Sequence, residues 1–513
     1  MVVKIQTVSF EGMDVRPIDV EVQISSGIVA FNIVGLADKA VAESKERVRG
    51  ALHALGLSLP AKRLTVNLAP ADTPKEGSHY DLPIALGLLA AMDVIPKEEM
   101  HEYLVLGELS LSAALREVNG ILPAAMHASE RDLGIICPAA CGQEAVWAGD
   151  LTVLAPTDLL QLINHMKGTQ VLSRPQAIPS ADRLSGIRDL AEVKGQETAK
   201  RALEIAAAGG HNLLMCGPPG SGKSMLASCV PGILPPLSAR EALEVSMVHS
   251  LAGTLPEGGL IRERPYRDPH HSASLPALVG GGAKPKPGEI SLSHKGVLFL
   301  DELPEFNRAT LEALRQPLET KRAVIARANQ HVTYPADFQL ISAMNPCRCG
   351  HLGDTDLECT RAPKCAGEYQ SKISGPMLDR IDLFVDVPPV PVTALSSLPK
   401  GEPSSVIQKR VTAVRDIQRT RFESVGEENI TLNSQASGNV LEQIAPLDTA
   451  AQDMLNKAAD TLKLSARAYH RIIRTARTIA DLSVSQKGGI APPEYIQTGH
   501  IAEALSYRRV SLK

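Results

Sequence analysis

The chain has 513 residues, 44% of them apolar and 21% charged, the balance of a globular protein of about two to four domains. A net charge of −4 gives no global basic footprint, which argues against a protein that wraps DNA but not against one that grips nucleic acid locally. The N-terminus lacks the apolar region of a secretory signal and no stretch approaches the roughly 18 apolar residues of a membrane span, so the expected compartment is the cytoplasm, with no membrane partner. Residues 1–167 read as a mixed α/β region. Apolar alternation runs from Ile18 to Ile24 and from Arg63 to Leu68, and helical runs cover Lys39 to Leu55 and Leu82 to Met92. Residues 168–186 carry Ser, Pro, Gln and Asp without periodicity and read as a linker. From 187 to 388 short apolar strands alternate with turns and helices, the pattern of a doubly wound parallel sheet. The prolines of 389–404 end that region, and 405–513 reads as helices at Ser405–Phe422, Asp448–Leu464, Ala466–Leu482 and Pro493–Ser506.

Three strand ends carry the chemistry. Leu213-Leu214-Met215 runs into Gly217-Pro218-Pro219-Gly220-Ser221-Gly222-Lys223-Ser224, which fits G-x-x-x-x-G-K-S between a strand and a helix. Its backbone N–H groups are expected to cradle the phosphates of ATP, Lys223 to neutralise them and Ser224 to bind Mg²⁺. Val297-Leu298-Phe299-Leu300 ends in Asp301 and Glu302. A buried strand delivers such acids to the ligand-binding edge of an open sheet, Asp301 toward Mg²⁺ and Glu302 toward the attacking water. Gln339 to Asn345 is a third apolar strand, ending in an amide able to hold that water without disturbing charge.

These motifs, followed by Gly375-Pro376-Met377-Leu378-Asp379-Arg380-Ile381-Asp382, resemble an AAA+ ATPase. Pro269-His270-His271-Ser272-Ala273-Ser274, Gly288-Glu289-Ile290-Ser291-Leu292 and Leu300 to Phe306 narrow the resemblance to the ComM/YifB family of the magnesium-chelatase-like branch, from Val8 to Arg508. The resemblance implies an AAA+ core at 187–388 with a C-terminal helical lid at 405–513, and a homo-hexameric ring with ATP at subunit interfaces. It also implies that Arg380 is an arginine finger reaching a neighbour's site, worth about 10³ to 10⁵ in rate in GTPases. Taken alone, the motif favours a structural ion pair of Arg380 with Asp379 or Asp382. Arg467 matches the sensor position on the lid, while Arg471 and Arg474 follow on the same helix face, either functional or a solvated or interface stripe. The family further implies an ATP-driven DNA motor of helicase or branch-migration type, acting on single-stranded or branched DNA in transformation or recombination. Lys284, Lys286, Arg322 and Arg327, on two insertions, are the candidate phosphate contacts, with loose surface loops as the alternative.

Cys347, Cys349, Cys359 and Cys365 fall within nineteen residues between Asn345 and Arg380. Gathered thiols suggest a structural Zn²⁺ site, with unliganded thiols as the alternative. The family closes a similar insertion with a second C-x-C, absent here, so His351 is a substitute candidate for Cys365. The other cysteines, Cys137, Cys141, Cys216 and Cys229, read as core residues.

Thr73 to Asp81, Gly107 to Leu111 and Val118 to Pro123 resemble the proteolytic domain of Lon, a ribosomal-S5-like α+β fold. A serine–lysine protease needs a lysine base. The register puts His79 at the nucleophile and Pro123 at the lysine, with Ser78 one residue away, so the dyad is expected to be missing. Two other functions compete with the DNA motor: metal insertion by a magnesium-chelatase I-like ATPase, and protein unfolding. The N-terminal region and the cysteine insertion, which the chelatase subunit is expected to lack, favour the motor.

Overall fold

The computed structural model describes residues 2–176, 187–256, 259–282, 286–326, 331–350, 352, 359–391, 393, 398–487 and 493–508. Lys284, Arg327, His351 and most of the expected linker (177–186) lie outside them.

The N-terminal region is built on a seven-stranded mixed sheet. Its strand order is 30–34, 63–69, 14–25, 2–11, 103–105, 134–136 and 153–154. Val2–Glu11 and Asp14–Ser25 form its central hairpin, whose alternating Val3, Ile5, Val20 and Val22 face inward. Helix Asp81–Ala91 is apolar on every side and is buried throughout its length apart from Ala91. Its first residue, Asp81, is wholly buried and is held by Arg47 at 2.6 and 2.9 Å and by the Leu109 N–H at 3.2 Å.

The second sheet is parallel and five-stranded, in the order 266–267, 297–300, 339–344, 213–216, 383–386. This order decides the geometry of the site. The Asn345 strand lies between the strand feeding Gly217–Ser224 and the strand ending at Asp301, with Leu213 opposite Ile341 and Val297 opposite Gln339. Three sequence motifs thereby meet at one sheet edge.

Helices 404–424, 438–444, 449–462, 466–487 and 498–506 follow. The last begins at Thr498 rather than at the expected Pro493, because Ile496 bridges Leu447 in extended conformation first. These helices share one hydrophobic core with the parallel sheet: Met215 and Ile341 belong with Val411, Phe422, Ile479 and Leu482. Buried Asp481 is compensated by Arg421 at 2.6 Å, Arg477 at 2.8 Å and the Asn433 amide at 2.9 Å. No helix among the described residues is long and apolar enough to cross a membrane.

The N-terminal region contacts the ATPase-like core through two hairpins and a helix. Strands 322–326 and 331–335 pair antiparallel, and Ile325, Val332 and Tyr334 pack with Met13 and Leu251. Helix 239–252 meets the other side: Glu144 accepts from the Ser250 hydroxyl and the Leu122 N–H, and Arg262 lies 5.5 Å over the Trp147 ring.

Candidate active site

The loop Gly217–Ser224 leaves strand 213–216 and enters helix Lys223–Ser228. Gly217 allows the loop to pass the neighbouring strand, since a Cβ there would lie 2.2 Å from the Val387 carbonyl oxygen. The Lys223 ammonium donates to the Gly217 and Pro218 carbonyls, both at 2.8 Å, and to Asn345 Oδ1 at 3.2 Å. Burial pulls this lysine below its ordinary range, while the Asp301 carboxylate resists. The Ser224 hydroxyl donates to Asp301 Oδ2 at 2.6 Å. Asp301 Oδ1 accepts from the Glu302 N–H at 2.9 Å, and Glu302 has a φ of 50°, costly for a residue with a side chain. Lys223, Ser224, Asp301, Glu302 and Asn345 therefore share one edge, and a cleft of 450 Å³ opens beside Ser224, Asp301 and Glu302.

These residues fit a phosphate–Mg²⁺ group. The inner loop is open, since a Cβ at Gly220 or Gly222 meets nothing within 4 Å. The Ser224–Asp301 pair offers two hard oxygen ligands side by side.

Sequence reasoning missed three neighbours. Gln196, at a φ of 61°, donates to the Ser221 carbonyl at 3.2 Å and the Pro388 carbonyl at 2.6 Å, tying the loop to the end of the sheet. The Tyr369 hydroxyl is pushed up to about 12 by burial and by Glu305 and Glu302. His271 Nδ1 sits 3.4 Å from Glu302 Oε2. The left-handed start of the Gln196 helix, at Gly195-Gln196, left a trace in the sequence, and His271 stood in the motif Pro269–Ser274 without a role assigned to it; Tyr369, in helix Lys364–Gln370, reaches the site through tertiary packing.

Arg380 is placed apart from this cluster. It bonds the Pro376 carbonyl at 2.6 Å, the Arg315 carbonyl at 3.2 Å and the Glu319 carboxylate. Its ion-pair partner is thus Glu319 and neither of the expected acids: Asp379 pairs with Arg471 at 3.4 Å, and Asp382 accepts from the Asn212 N–H at 3.0 Å. Arg471 also bonds the Ile381 carbonyl at 2.5 Å, and Arg474 the Ser434 carbonyl at 3.0 Å, so both are structural ties rather than a solvated stripe. Arg467 is exposed in the first turn of its helix. Lys286 and Arg322 are exposed on their hairpins, and Lys286 lines a 430 Å³ cleft with Ser78, His79, Glu108 and Glu117.

The four cysteines converge, with all four sulfurs within 4.8 Å of one another. Tetrahedral zinc thiolates need sulfurs about 3.8 Å apart, so the donor set fits a closed metal site that the protein alone would complete. Cys365 belongs to the set despite its unusual spacing. The loop beside it touches the phosphate loop. Gly350, at a φ of 86°, faces Pro219, and a Cβ there would lie 2.6 Å from Pro219 Cδ.

In the N-terminal cleft the Ser78 hydroxyl donates to Glu108, and His79 Nε2 bonds the Val8 carbonyl at 2.9 Å. Lys75 is fully buried on the Pro70 carbonyl, and Pro123 is buried in helix Ile121–Ser129.

Residues 20–141 match a family model described as subunit ChlI of Mg-chelatase, 189–395 one described as magnesium chelatase, subunit ChlI, and 401–508 its C-terminal model. The chain is 44% identical to Competence protein ComM of Haemophilus influenzae over 502 residues, 97% of this chain and 95% of that one. This chain belongs to the ComM/YifB family of magnesium-chelatase-like AAA+ proteins. The YifB protein of Escherichia coli is 43% identical over 500 residues, again 97% of this chain and 95% of that one. The magnesium-chelatase 38 kDa subunit of Rhodobacter capsulatus is 25% identical over 195 residues, 35% of this chain and 56% of that protein. A model named for a Mg-chelatase subunit thus also covers 20–141, whereas the 38 kDa chelatase subunit itself aligns with 35% of this chain. Membership in this ATPase family implies ATP and Mg²⁺ as ligands.

Proposed function

We propose that this protein is an ATP-driven motor on single-stranded or branched DNA, working as a homo-hexameric ring in transformation or recombination. The observation that carries the ATPase half is the meeting of Lys223, Ser224, Asp301 and Asn345 at one sheet edge. The DNA half rests on similarity to a competence protein across nearly the whole chain.

In this reading Lys223 and the loop N–H groups hold the phosphates, while Ser224 and Asp301 hold Mg²⁺, which neutralises phosphate charge. Glu302 polarises the attacking water and Asn345 orients it. Arg380 leaves Glu319 to serve a neighbouring subunit's site, and Arg467 senses nucleotide from the lid. The cysteine set holds Zn²⁺ and stiffens the segment between Asn345 and Arg380. Residues 1–167 form a Lon-like module without its dyad, supported by Ser78 bonding a glutamate instead of a lysine. Lys286 and Arg322 are exposed as phosphate contacts require.

The test is the ATPase rate against single-stranded, duplex and branched DNA at low salt, with protein concentration varied to expose assembly. Stimulation by forked or four-way DNA supports the motor. No DNA effect, with stimulation by a protein substrate, would establish an unfoldase, and stimulation only by chelatase partner subunits a metal-insertion ATPase. Arg380→Ala is expected to stop turnover without loosening ATP; normal hydrolysis by the assembled variant removes the finger assignment.

A further inference from the structure

A second cleft opens at the edge of the parallel sheet opposite Asn345. It has a volume of 660 Å³ and lies between the starts of strands 297–300 and 339–344 on one side and helix 404–424 with residues 428–435 on the other. At about 3.3 Å per residue, strand 339–344 sets it about 20 Å from the phosphate edge. Gly210, on its wall, follows helix Glu197–Gly209, whose last carbonyls are taken by three side chains. Gln339 Nε2 donates to the Ala206 carbonyl at 2.8 Å, Arg415 to the Ala207 carbonyl at 2.6 and 2.9 Å, and Gln418 to the Ala208 carbonyl at 3.1 Å.

Two of these side chains are only half used. Gln339 is 8% exposed, and its Nε2 also holds the His211 carbonyl at 2.8 Å, which fixes the orientation of the amide. Its Oε1 is buried with no partner, a costly state for an acceptor. Arg415 gives Nε and Nη2 to one carbonyl, and its Nη1 has no partner among the described residues. Burial, and then the nearby Arg264 guanidinium, lower the proton affinity of Arg415, and Glu241 and Asp337 offset them only in part. The acids on the cleft wall are engaged elsewhere. Asp337 is held by Lys295 at 2.8 Å and Lys321 at 3.0 Å, and Glu241 by Arg264 at 3.4 Å. Glu244 pairs with Arg240 at 3.2 Å and Asp416 with Arg419 at 2.8 Å, while Glu428 is exposed to solvent.

We propose that this cleft binds a small oxyanion that also carries a hydroxyl group, of the phosphorylated-polyol or hydroxy-acid class. The oxyanion takes the free side of the Arg415 fork, and the hydroxyl donates to Gln339 Oε1. A planar guanidinium can serve a carbonyl with one side and an oxyanion with the other, which a lysine ammonium cannot do in the same geometry. Such an occupant touches the sheet and helix 404–424 at once. It fixes the C-terminal helices against the strand that leads to Asn345 and so regulates ATP turnover, a half of the inference that rests on the protein being an ATPase.

The experiment is isothermal calorimetry on the full chain, with a non-hydrolysable ATP analogue and Mg²⁺ filling the phosphate loop. Glycerol 3-phosphate and malate are the probes, and inorganic phosphate and glycerol are the half-ligands. One of the two probes is expected to saturate a single site per chain about tenfold more tightly than phosphate, with glycerol giving no signal. Arg415→Lys keeps a donor for the Ala207 carbonyl and is expected to weaken probe binding about tenfold at an unchanged melting temperature. A readout on the parent chain needs no variant: bound probe is expected to slow phenylglyoxal modification of Arg415 but not of Arg419, mapped by mass spectrometry. The probe is also expected to change ATP turnover about twofold in the parent and not in Arg415→Lys. Absence of saturable binding below about 10 mM, unprotected Arg415, or undiminished affinity in a folded Arg415→Lys overturns the site. Phosphate binding as tightly as both probes removes Gln339 from it. Binding that leaves turnover unchanged overturns the regulatory half, whereas a chain that hydrolyses no ATP removes the ATPase reading and leaves the calorimetry standing.

Discussion

Two lysines in this molecule bond backbone carbonyls and are pulled below their ordinary range by burial, and only one belongs to a site. Lys223 donates to Gly217 and Pro218, and Lys75 to Pro70. Lys223 also touches Asn345 and stands near Asp301, at the mouth of a loop with open space inside it. Lys75 has Asp72 as a nearby charge and is sealed from solvent, while the neighbouring Ser78 turns to Glu108. A buried lysine thus becomes chemically useful through convergent acceptors and room for a ligand. A depressed affinity for its proton is not enough.

The comparison breaks most visibly at Lys223. Lys223→Met is expected to lower kcat/KM for ATP by more than about 100-fold, since it removes a charge aimed at phosphate. Binding of a fluorescent ATP analogue checks it; retained binding would make Lys223 no more functional than Lys75. A step down is Gly350→Ala, which places a Cβ against Pro219 at a positive φ. It is expected to cost about 1–3 kcal/mol of stability and to weaken ATP binding. Thermal melting and nucleotide titration together show whether the cysteine segment supports the phosphate loop. Removing metal with a thiol-competitive chelator is expected to lower the melting temperature, with zinc released to a colorimetric indicator at one ion per chain if the set is filled.

The smallest effect is expected at Lys75. Replacing a buried ammonium with an apolar side chain of similar length is expected to change stability by no more than about 1 kcal/mol and leave ATPase activity alone. The sign with pH is definite. The folded Lys75 loses its proton before the unfolded one does, so its burial cost shrinks and stability rises as pH climbs from the folded toward the unfolded range. In Lys75→Met that part of the rise is expected to vanish, as denaturant melts on the alkaline side would record. Ser78→Ala, assayed on casein, completes the contrast, with no peptidase activity to lose.

Much of the phosphate edge was legible because each motif ends an apolar strand, and strand ends gather wherever a parallel sheet forms. Leu213–Met215, Val297–Leu300 and Gln339–Met344 announced themselves by composition alone. The interposed order of those strands was not written in any one of them. His271 reaches the edge from a loop and Tyr369 from the short helix Lys364–Gln370, and both directions follow tertiary contacts rather than periodicity. The Glu319 partner of Arg380 is 61 residues away, and nearer acids in the sequence offered a false choice. The helix start at Thr498 was hidden because Ile496 answers to Leu447, a pairing with no local signal.

The contact between Arg262 and Trp147 has a practical side. Trp147 is the chain's one tryptophan, and it sits where the N-terminal region meets the core. Its emission is therefore a built-in gauge of that junction. A guanidinium lifting from the indole face would change the indole's surroundings and so the spectrum, letting the docking of the two regions be timed during turnover with no label attached.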